Sequence, residues 1–236
     1  MLEHQWNITR RCSMRKATTR GGLVLLGLIV LGGLVVRTAE AVTGGHNLSG
    51  IAPGGQVCIA CHAPHKVPNS PLLWNHVLSA ANFSWSDWTQ TTGGTPLPKN
   101  IKTWSGSTKL CLSCHDGTVA IGALADGTTF STAKISSGDQ IGGGGDLKGN
   151  HPVAVPYPYN GVKNTYNGIV TGDNALASGW KAVPTKVKIF TDAGAAAPNN
   201  RGVECASCHD PHGTGNSDYL RDTTSGSALC LNCHTK

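Results

Sequence analysis

Eight of the nine cysteines in this chain fall into four copies of one short pattern, C-x-x-C-H. The copies are Cys58-Ile-Ala-Cys61-His62, Cys111-Leu-Ser-Cys114-His115, Cys205-Ala-Ser-Cys208-His209 and Cys230-Leu-Asn-Cys233-His234. Two thiols at this spacing reach the two vinyl groups of one porphyrin and form thioethers. The next residue then lies under the iron and supplies an imidazole. The pattern is the c-type haem attachment signature. Three other uses of paired cysteines compete with it: two zinc sites of four cysteines each, four disulfides and thioredoxin-like redox pairs. None of them requires a histidine directly after the second cysteine, yet all four copies have one. The expected cofactors are four covalently bound c-type haems.

Composition agrees with a fold built on such groups. The 236 residues include 31 glycines, only 6% aromatic and 14% charged residues. Large apolar side chains are too sparse for a conventional core. Low charge argues against ordinary disorder. The expected fold is mostly coil with a few short helices and minimal strand, organised by stacked haems. Helical turns are expected around the second and fourth motifs and over 173–180. A short strand is expected over 183–190, with loops at 138–149 and 192–202. The segment 116–150 reads as a flexible surface excursion.

The first 41 residues read as a cleaved secretory signal. A basic region from Arg10 to Arg20 precedes an apolar run of 16 residues, 21–36, and Ala39-Glu40-Ala41 supplies the cleavage site. The run is shorter than the ~20 residues of a membrane-spanning helix. Cys12, His4 and both methionines lie in this leader. Export suits c-type haem, which bacteria attach outside the cytoplasm. The formal charge of +6 also resides largely in the leader; residues 42–236 carry 13 basic and 11 acidic groups. No basic stripe remains for a phosphate backbone, so nucleic-acid binding is not expected.

With no methionine after residue 41, Met/His coordination within the chain is excluded. His62, His115, His209 and His234 are the proximal ligands. Five histidines are free: His46, His65, His76, His151 and His212. The expected distal ligands are His46, His65, His151 and His212, with His76 as the spare or an alternative. His65 and His212 each follow a proximal histidine in the pattern H-x-P-H. Each starts on the same side of the porphyrin as that histidine. They are therefore expected to serve a different haem, locking two haems close together. Pro152 holds His151 in an extended conformation, which suits a fixed ligand.

The motifs alternate in type. The first and third read C-x-x-C-H-x-P-H, and the second and fourth read L-C-L-x-C-H. This A-B-A-B order suggests one tetrahaem domain, 42–236, built from two diverged two-haem modules of about 42–150 and 151–236. The first module carries an insertion, roughly 66–105. Its Trp74, Trp85, Trp88 and Trp104 could stack on porphyrins or pack a small cluster.

These features, with His46-Asn47-Leu48-Ser49, Leu73-Trp74-Asn75, Leu110-Cys111-Leu112-Ser113-Cys114-His115-Asp116-Gly117, His151-Pro152-Val153 and His209-Asp210-Pro211-His212, resemble the doubled-CxxCH multihaem cytochromes over about residues 44–236. Within that group the chain most resembles the extracellular tetrahaem cytochromes of iron-reducing bacteria that polymerise into filaments. The resemblance implies bis-histidine haems in a continuous stack and conduction along a polymer. It implies cell-surface export, with periplasmic location as the alternative. The implied partners are other copies of the chain, other multihaem cytochromes and extracellular electron acceptors. A histidine of one subunit can complete a haem in the next in such filaments. His46, near the expected mature N-terminus, is the expected candidate. A soluble periplasmic shuttle is the alternative. An enzyme is disfavoured, because five free histidines for four irons make an open coordination site unnecessary.

Overall fold

Hydrogen bonding along this chain is mostly local, so the backbone is a succession of tight turns with few regular elements. The computed structural model describes residues 42, 44–64, 71–101, 106–158, 163–172, 179–182, 184–191 and 201–235. All of these lie in one unit, Glu40–Lys236. The leader 1–41, His65, Trp104 and residues 173–178 of the helix expected over 173–180 lie outside the described residues, and residues 179–180 are not helical. Residues 192–200 of the loop expected at 192–202 also lie outside them; residues 201 and 202 belong instead to the strand Arg201–Val203. No described helix is long and apolar enough to cross a membrane. The architecture is mostly coil, with few short helices and little strand.

The longest helix among the described residues is α1, Ser107–His115, and it carries the second motif. It begins at Gly106, whose φ is +148°. A Cβ there would lie 2.5 Å from Oε1 of Glu204, so glycine is required on both counts. Leu110 and Leu112 of α1 are both buried, and Leu112 points into the main core cluster. A single helical turn, α2, spans Cys205–Cys208 and carries the third motif. The two are laced together at their starts. The Thr108 N–H donates to Glu204 Oε2 (2.8 Å), and the Cys205 N–H donates to Thr108 Oγ1 (3.2 Å). Glu204 is buried and also accepts from the Tyr166 hydroxyl at 2.8 Å, so its oxygens are satisfied.

Two small sheets flank this pair. β1 (Val155–Pro156), β5 (Arg201–Val203) and β4 (Phe190–Thr191) form an antiparallel sheet in the order β1-β5-β4. β2 (Thr165–Tyr166) and β3 (Ile169–Val170) form a hairpin. Asn167 and Gly168 make its turn with φ of +49° and +73°, the left-handed pair that a two-residue hairpin requires. That Asn-Gly signal was legible in the sequence, but no strand was expected there.

A modest aliphatic and aromatic core does form. Leu112 of α1 joins Phe83, Trp85, Leu147, Val155 and Tyr157 in one buried cluster. Each such side chain contributes about 1.5–3 kcal/mol on burial. Tyr157 is fully buried, and its hydroxyl donates to the Lys181 carbonyl at 2.6 Å. Trp85 belongs to this core, whereas Trp88 is exposed, so the tryptophans of the insertion form no common cluster among the described residues.

Two local expectations are corrected. The strand over 183–190 shrinks to Phe190–Thr191. Upstream donors go to irregular partners: the Lys186 N–H to Asn232 Oδ1 (3.0 Å) and the Lys188 N–H to the Ser207 carbonyl (3.1 Å). The segment 116–150 is no free excursion. Leu124 and Leu147 are buried, and the Ile141 N–H returns to the His115 carbonyl at 2.7 Å. Asp146 fastens it to Ser86 through Oδ1 (3.1 Å) and Oδ2 (2.7 Å).

Candidate haem-ligand sites

All four motifs adopt a helical turn, including the first and third, where none was expected. The turns are Val57–Ala60, α1, α2 and Cys230–Asn232. The N–H of His62 donates to the Cys58 carbonyl (2.8 Å), that of His209 to Cys205 (3.1 Å) and that of His234 to Cys230 (2.9 Å). These are helix-type bonds spanning four residues. Residues three and four apart on a helical turn share a face, so each motif presents its two thiols and its imidazole on one side. One flat ligand can meet all three.

Backbone carbonyls then orient the imidazoles. Nδ1 of His62 donates to Leu72 O (2.9 Å), that of His115 to Asp139 O (3.0 Å) and that of His209 to Asp218 O (2.7 Å). Among the free histidines, His46 Nδ1 donates to Pro211 O (3.1 Å) and His151 Nδ1 to Pro152 O (2.9 Å). His212 Nδ1 donates to Asp210 Oδ1 at 3.2 Å. A ring whose Nδ1–H is engaged in this way is fixed as the tautomer that leaves Nε2 for a metal. His76 differs. It is buried, and both ring nitrogens face carbonyls, Nδ1 at Val77 O (2.8 Å) and Nε2 at Ala120 O (3.0 Å).

The histidines come in pairs. His62 faces His212 with ring centroids 6.1 Å apart, His115 faces His46 at 6.1 Å, and His234 faces His151 at 6.4 Å. Two imidazoles bound to opposite faces of one metal stand about 6 Å apart: two metal–nitrogen bonds of about 2 Å plus about 1 Å from each nitrogen to its ring centre. Each pair joins one motif histidine to one free histidine. The residues present therefore fit a six-coordinate haem iron at three motifs. His212, in the tail of the third motif, faces the first. His46 faces His115 of its own chain, so the ligand expected to reach a neighbouring subunit has a partner at home. No histidine ring is paired with His209 among the described residues.

Burial lowers the pKa of His46, with His115, His212 and His209 adding to the effect; burial and then His151 lower that of His234. Both shifts favour the neutral imidazole that binds metal. Five of the thiols move the other way, whereas Cys205 is lowered by its hydrogen bond with Cys111. Burial, then Cys61, pushes Cys114 up to about 12, and burial, then Cys233, pushes Cys208 up to about 11. The Cys111 thiol is raised by its hydrogen bond to Cys205 and by desolvation. No disulfide joins any of the eight motif cysteines. No three or more His, Cys, Asp or Glu side chains among the described residues group as a zinc site requires.

The first and third motifs share one backbone construction in detail. After His62 the chain returns so that His62 bridges Trp74, and after His209 so that His209 bridges Leu220. The Ala63 N–H donates to Leu73 O (2.9 Å) and the Asp210 N–H to Tyr219 O (2.8 Å). The Asn75 N–H donates to Cys61 O (2.9 Å) and the Arg221 N–H to Cys208 O (2.8 Å). Leu72 and Leu73 have φ of +59° and +53°, and Asp218 and Tyr219 have +52° and +58°. Two aromatic residues at the sites were not singled out in the sequence. Tyr219 stacks on His46 with centroids 4.6 Å apart, and Trp180 lies 4.3 Å from His234. Neither belongs to a recognisable motif.

Comparison with known families bears on two of the four motifs. The doubled CXXCH motif family model matches residues 197–236, which hold the third and fourth motifs. These motifs indicate covalently bound c-type haem. The match supports a haem-binding, electron-transfer cytochrome of the multihaem kind. No curated protein matches the chain.

Proposed function

We propose that the chain is an exported tetrahaem c-type cytochrome that carries electrons and catalyses no reaction of its own. The observation that carries this reading is the one-to-one pairing of motif and free histidines at 6.1–6.4 Å. Covalent haem, when bound, supplies a one-electron Fe(III)/Fe(II) couple. The protein's part is to hold, space and tune it. The cysteine pairs 58/61, 111/114, 205/208 and 230/233 are the thioether positions. His62 with His212, His115 with His46, and His234 with His151 supply axial nitrogens. His65 is assigned to His209, because the other remaining histidine, His76, has both ring nitrogens facing carbonyls. Two nitrogen ligands disfavour the reduced iron relative to Met/His coordination, so low potentials follow. With every iron doubly ligated, no position is left for a substrate.

The finer reading is that subunits associate head to tail into an extracellular filament and deliver electrons to external acceptors or other multihaem cytochromes. The sequence resemblance supports it. The alternative is a self-contained periplasmic shuttle, favoured by the placement of His46 opposite His115 of its own chain. Purified holoprotein is expected to contain four haems per chain by pyridine haemochrome and to bind no carbon monoxide when reduced. Fewer haems, or carbon monoxide binding, would refute the bis-histidine tetrahaem. Electron microscopy of cell-surface material then separates the assemblies: filaments support the conduit, and only monodisperse haem-loaded monomers support the shuttle.

A further inference from the structure

The three histidine pairs share a separation but differ in ring orientation. His62 and His212 are nearly parallel, at 15°. His151 and His234 stand at 63°, and His46 and His115 at 86°. For a low-spin ferric iron this angle matters electronically. Each imidazole plane selects one of the two iron d orbitals with which it overlaps in a π sense. Parallel planes select the same orbital, split the pair and quench orbital angular momentum. Perpendicular planes treat the two orbitals alike, leave them nearly degenerate, and give a strongly anisotropic paramagnetic signal.

The 86° arrangement has an identifiable support. His115 is held by Asp139 O at 3.0 Å. His46 is held on two sides by residue 219. The Tyr219 ring stacks on the imidazole at 4.6 Å and 24°, and the Tyr219 hydroxyl accepts the His46 backbone N–H at 2.9 Å. The backbone around this contact leaves little room for another arrangement. Gly44 has φ of +60°, and a Cβ on it would lie 2.6 Å from the Tyr219 hydroxyl. Tyr219 itself takes a left-handed conformation, which a tyrosine adopts only when its surroundings require it. The corresponding residue of the first loop, Leu73, takes the same conformation and is exposed.

We infer that Tyr219 is a positioning residue: it fixes the plane of the His46 imidazole perpendicular to His115 and makes this pair the most anisotropic low-spin centre among the three. The inference rests on the bis-histidine reading. It goes beyond that reading, because ligation alone does not set the angle.

The test is electron paramagnetic resonance of the oxidised holoprotein. The wild type is expected to show a strongly anisotropic low-spin signal beside a rhombic one. His46→Ala identifies the owner: the most anisotropic signal is lost, and the reduced protein gains carbon monoxide binding at one iron per chain. Tyr219→Leu removes the stack and the hydroxyl. It is expected to shift that same signal towards the rhombic type while the haem count stays at the wild-type value. Tyr219→Phe keeps the ring and is expected to retain the signal. If Tyr219→Leu loads no haem, Gly44→Ala displaces the tyrosine from the other side and is expected to give the same shift. An unchanged anisotropic signal in Tyr219→Leu, or in Gly44→Ala where that variant stands in, would overturn the inference, as would survival of the signal in His46→Ala. Failure of the underlying reading looks different, because the wild type itself would then lack haem or low-spin signals.

Discussion

The loops that follow the first and third motifs are built to one plan and put to different uses. In both, the motif histidine bridges the returning segment, its Nδ1–H meets a carbonyl two residues before the bridge, and two consecutive non-glycine residues take left-handed φ. Even the side chain after the bridge repeats. Asn75 Nδ2 donates to Ile59 O (2.9 Å), and Arg221 Nε donates to Ala206 O (3.0 Å). The side chains in the left-handed positions have diverged. Leu72 and Leu73 are exposed, whereas Tyr219 grips His46; the carbonyls of Leu72 and Asp218 alike serve the motif histidine. Orienting an imidazole needs only backbone, so that frame is shared. The later task of holding a ligand for another motif fell to side chains in one copy.

The largest expected effect breaks the assumption that each loop serves its own motif. His212 belongs to the third motif's loop but faces His62 of the first at 6.1 Å. On the proposed tetrahaem reading, His212→Ala should therefore open the iron held at Cys58 and Cys61, converting one haem in four from low spin to a form that binds carbon monoxide when reduced. The crossing is checked in a Cys58→Ala/Cys61→Ala background, where no haem attaches at the first motif. There His212→Ala should add no carbon monoxide binding. Binding that persists would place His212 at its own motif.

This crossing also marks what the sequence could and could not carry. The thiols and the proximal imidazole are legible because one helical turn holds all three, and five residues of sequence contain that whole geometry. The low content of regular structure is legible from the glycines and the scarcity of large apolar residues. The expectation that His212 serves another motif than its own follows from chain direction. Which motif it serves does not, because the answer depends on how two distant loops pack. His46 is similar: its partner is set by Pro211 O and Tyr219, far away in the chain. The segment 116–150 misleads for another reason. Its glycines read as slack, but Leu124 and Leu147 are buried and Asp146 clamps it to Ser86. Few anchors suffice when the turns between them are short.

A smaller effect sharpens the comparison at the left-handed positions. Leu72 pays the steric penalty of φ +59° with a side chain that is 68% exposed and so returns little packing. Leu72→Gly should relieve about 1–2 kcal/mol of strain. The added freedom of the unfolded chain takes back part of that, about 0.5–1 kcal/mol. A net gain of about 0.5–1 kcal/mol is expected, read as a higher thermal midpoint. Asp218 adopts φ +52°, which Asp tolerates better than Leu. Asp218→Gly should leave the midpoint unchanged or lower it slightly. Equal gains in both loops would mean that strain, and not residue type, is matched between the copies.

The smallest effect asks whether one loop can be rewritten as the other. Arg221 does two things: its Nε donates to Ala206 O, and its guanidinium pairs with Asp210 at 2.9 Å. The first loop has Asn75 donating to Ile59 O, and Ala63 where the third has Asp210. The ion pair is thus an addition to a hydrogen bond that both loops make. Asp210 is a quarter exposed, so the pair is partly screened and contributes less than about 1 kcal/mol. Arg221→Asn retains an amide donor at the position where the first loop uses one, and should lose only the ion pair. Arg221→Ala loses the shared donor as well and should cost about 1 kcal/mol more. Thermal unfolding at low and high salt separates the two contributions. The difference between wild type and Arg221→Asn should shrink as salt is added. The difference between Arg221→Asn and Arg221→Ala should not, because a neutral hydrogen bond to a backbone carbonyl is not screened in this way. If Arg221→Asn falls as far as Arg221→Ala, asparagine fails to replace the donor in the third loop, and the two loops share a plan without sharing the residues that can carry it out.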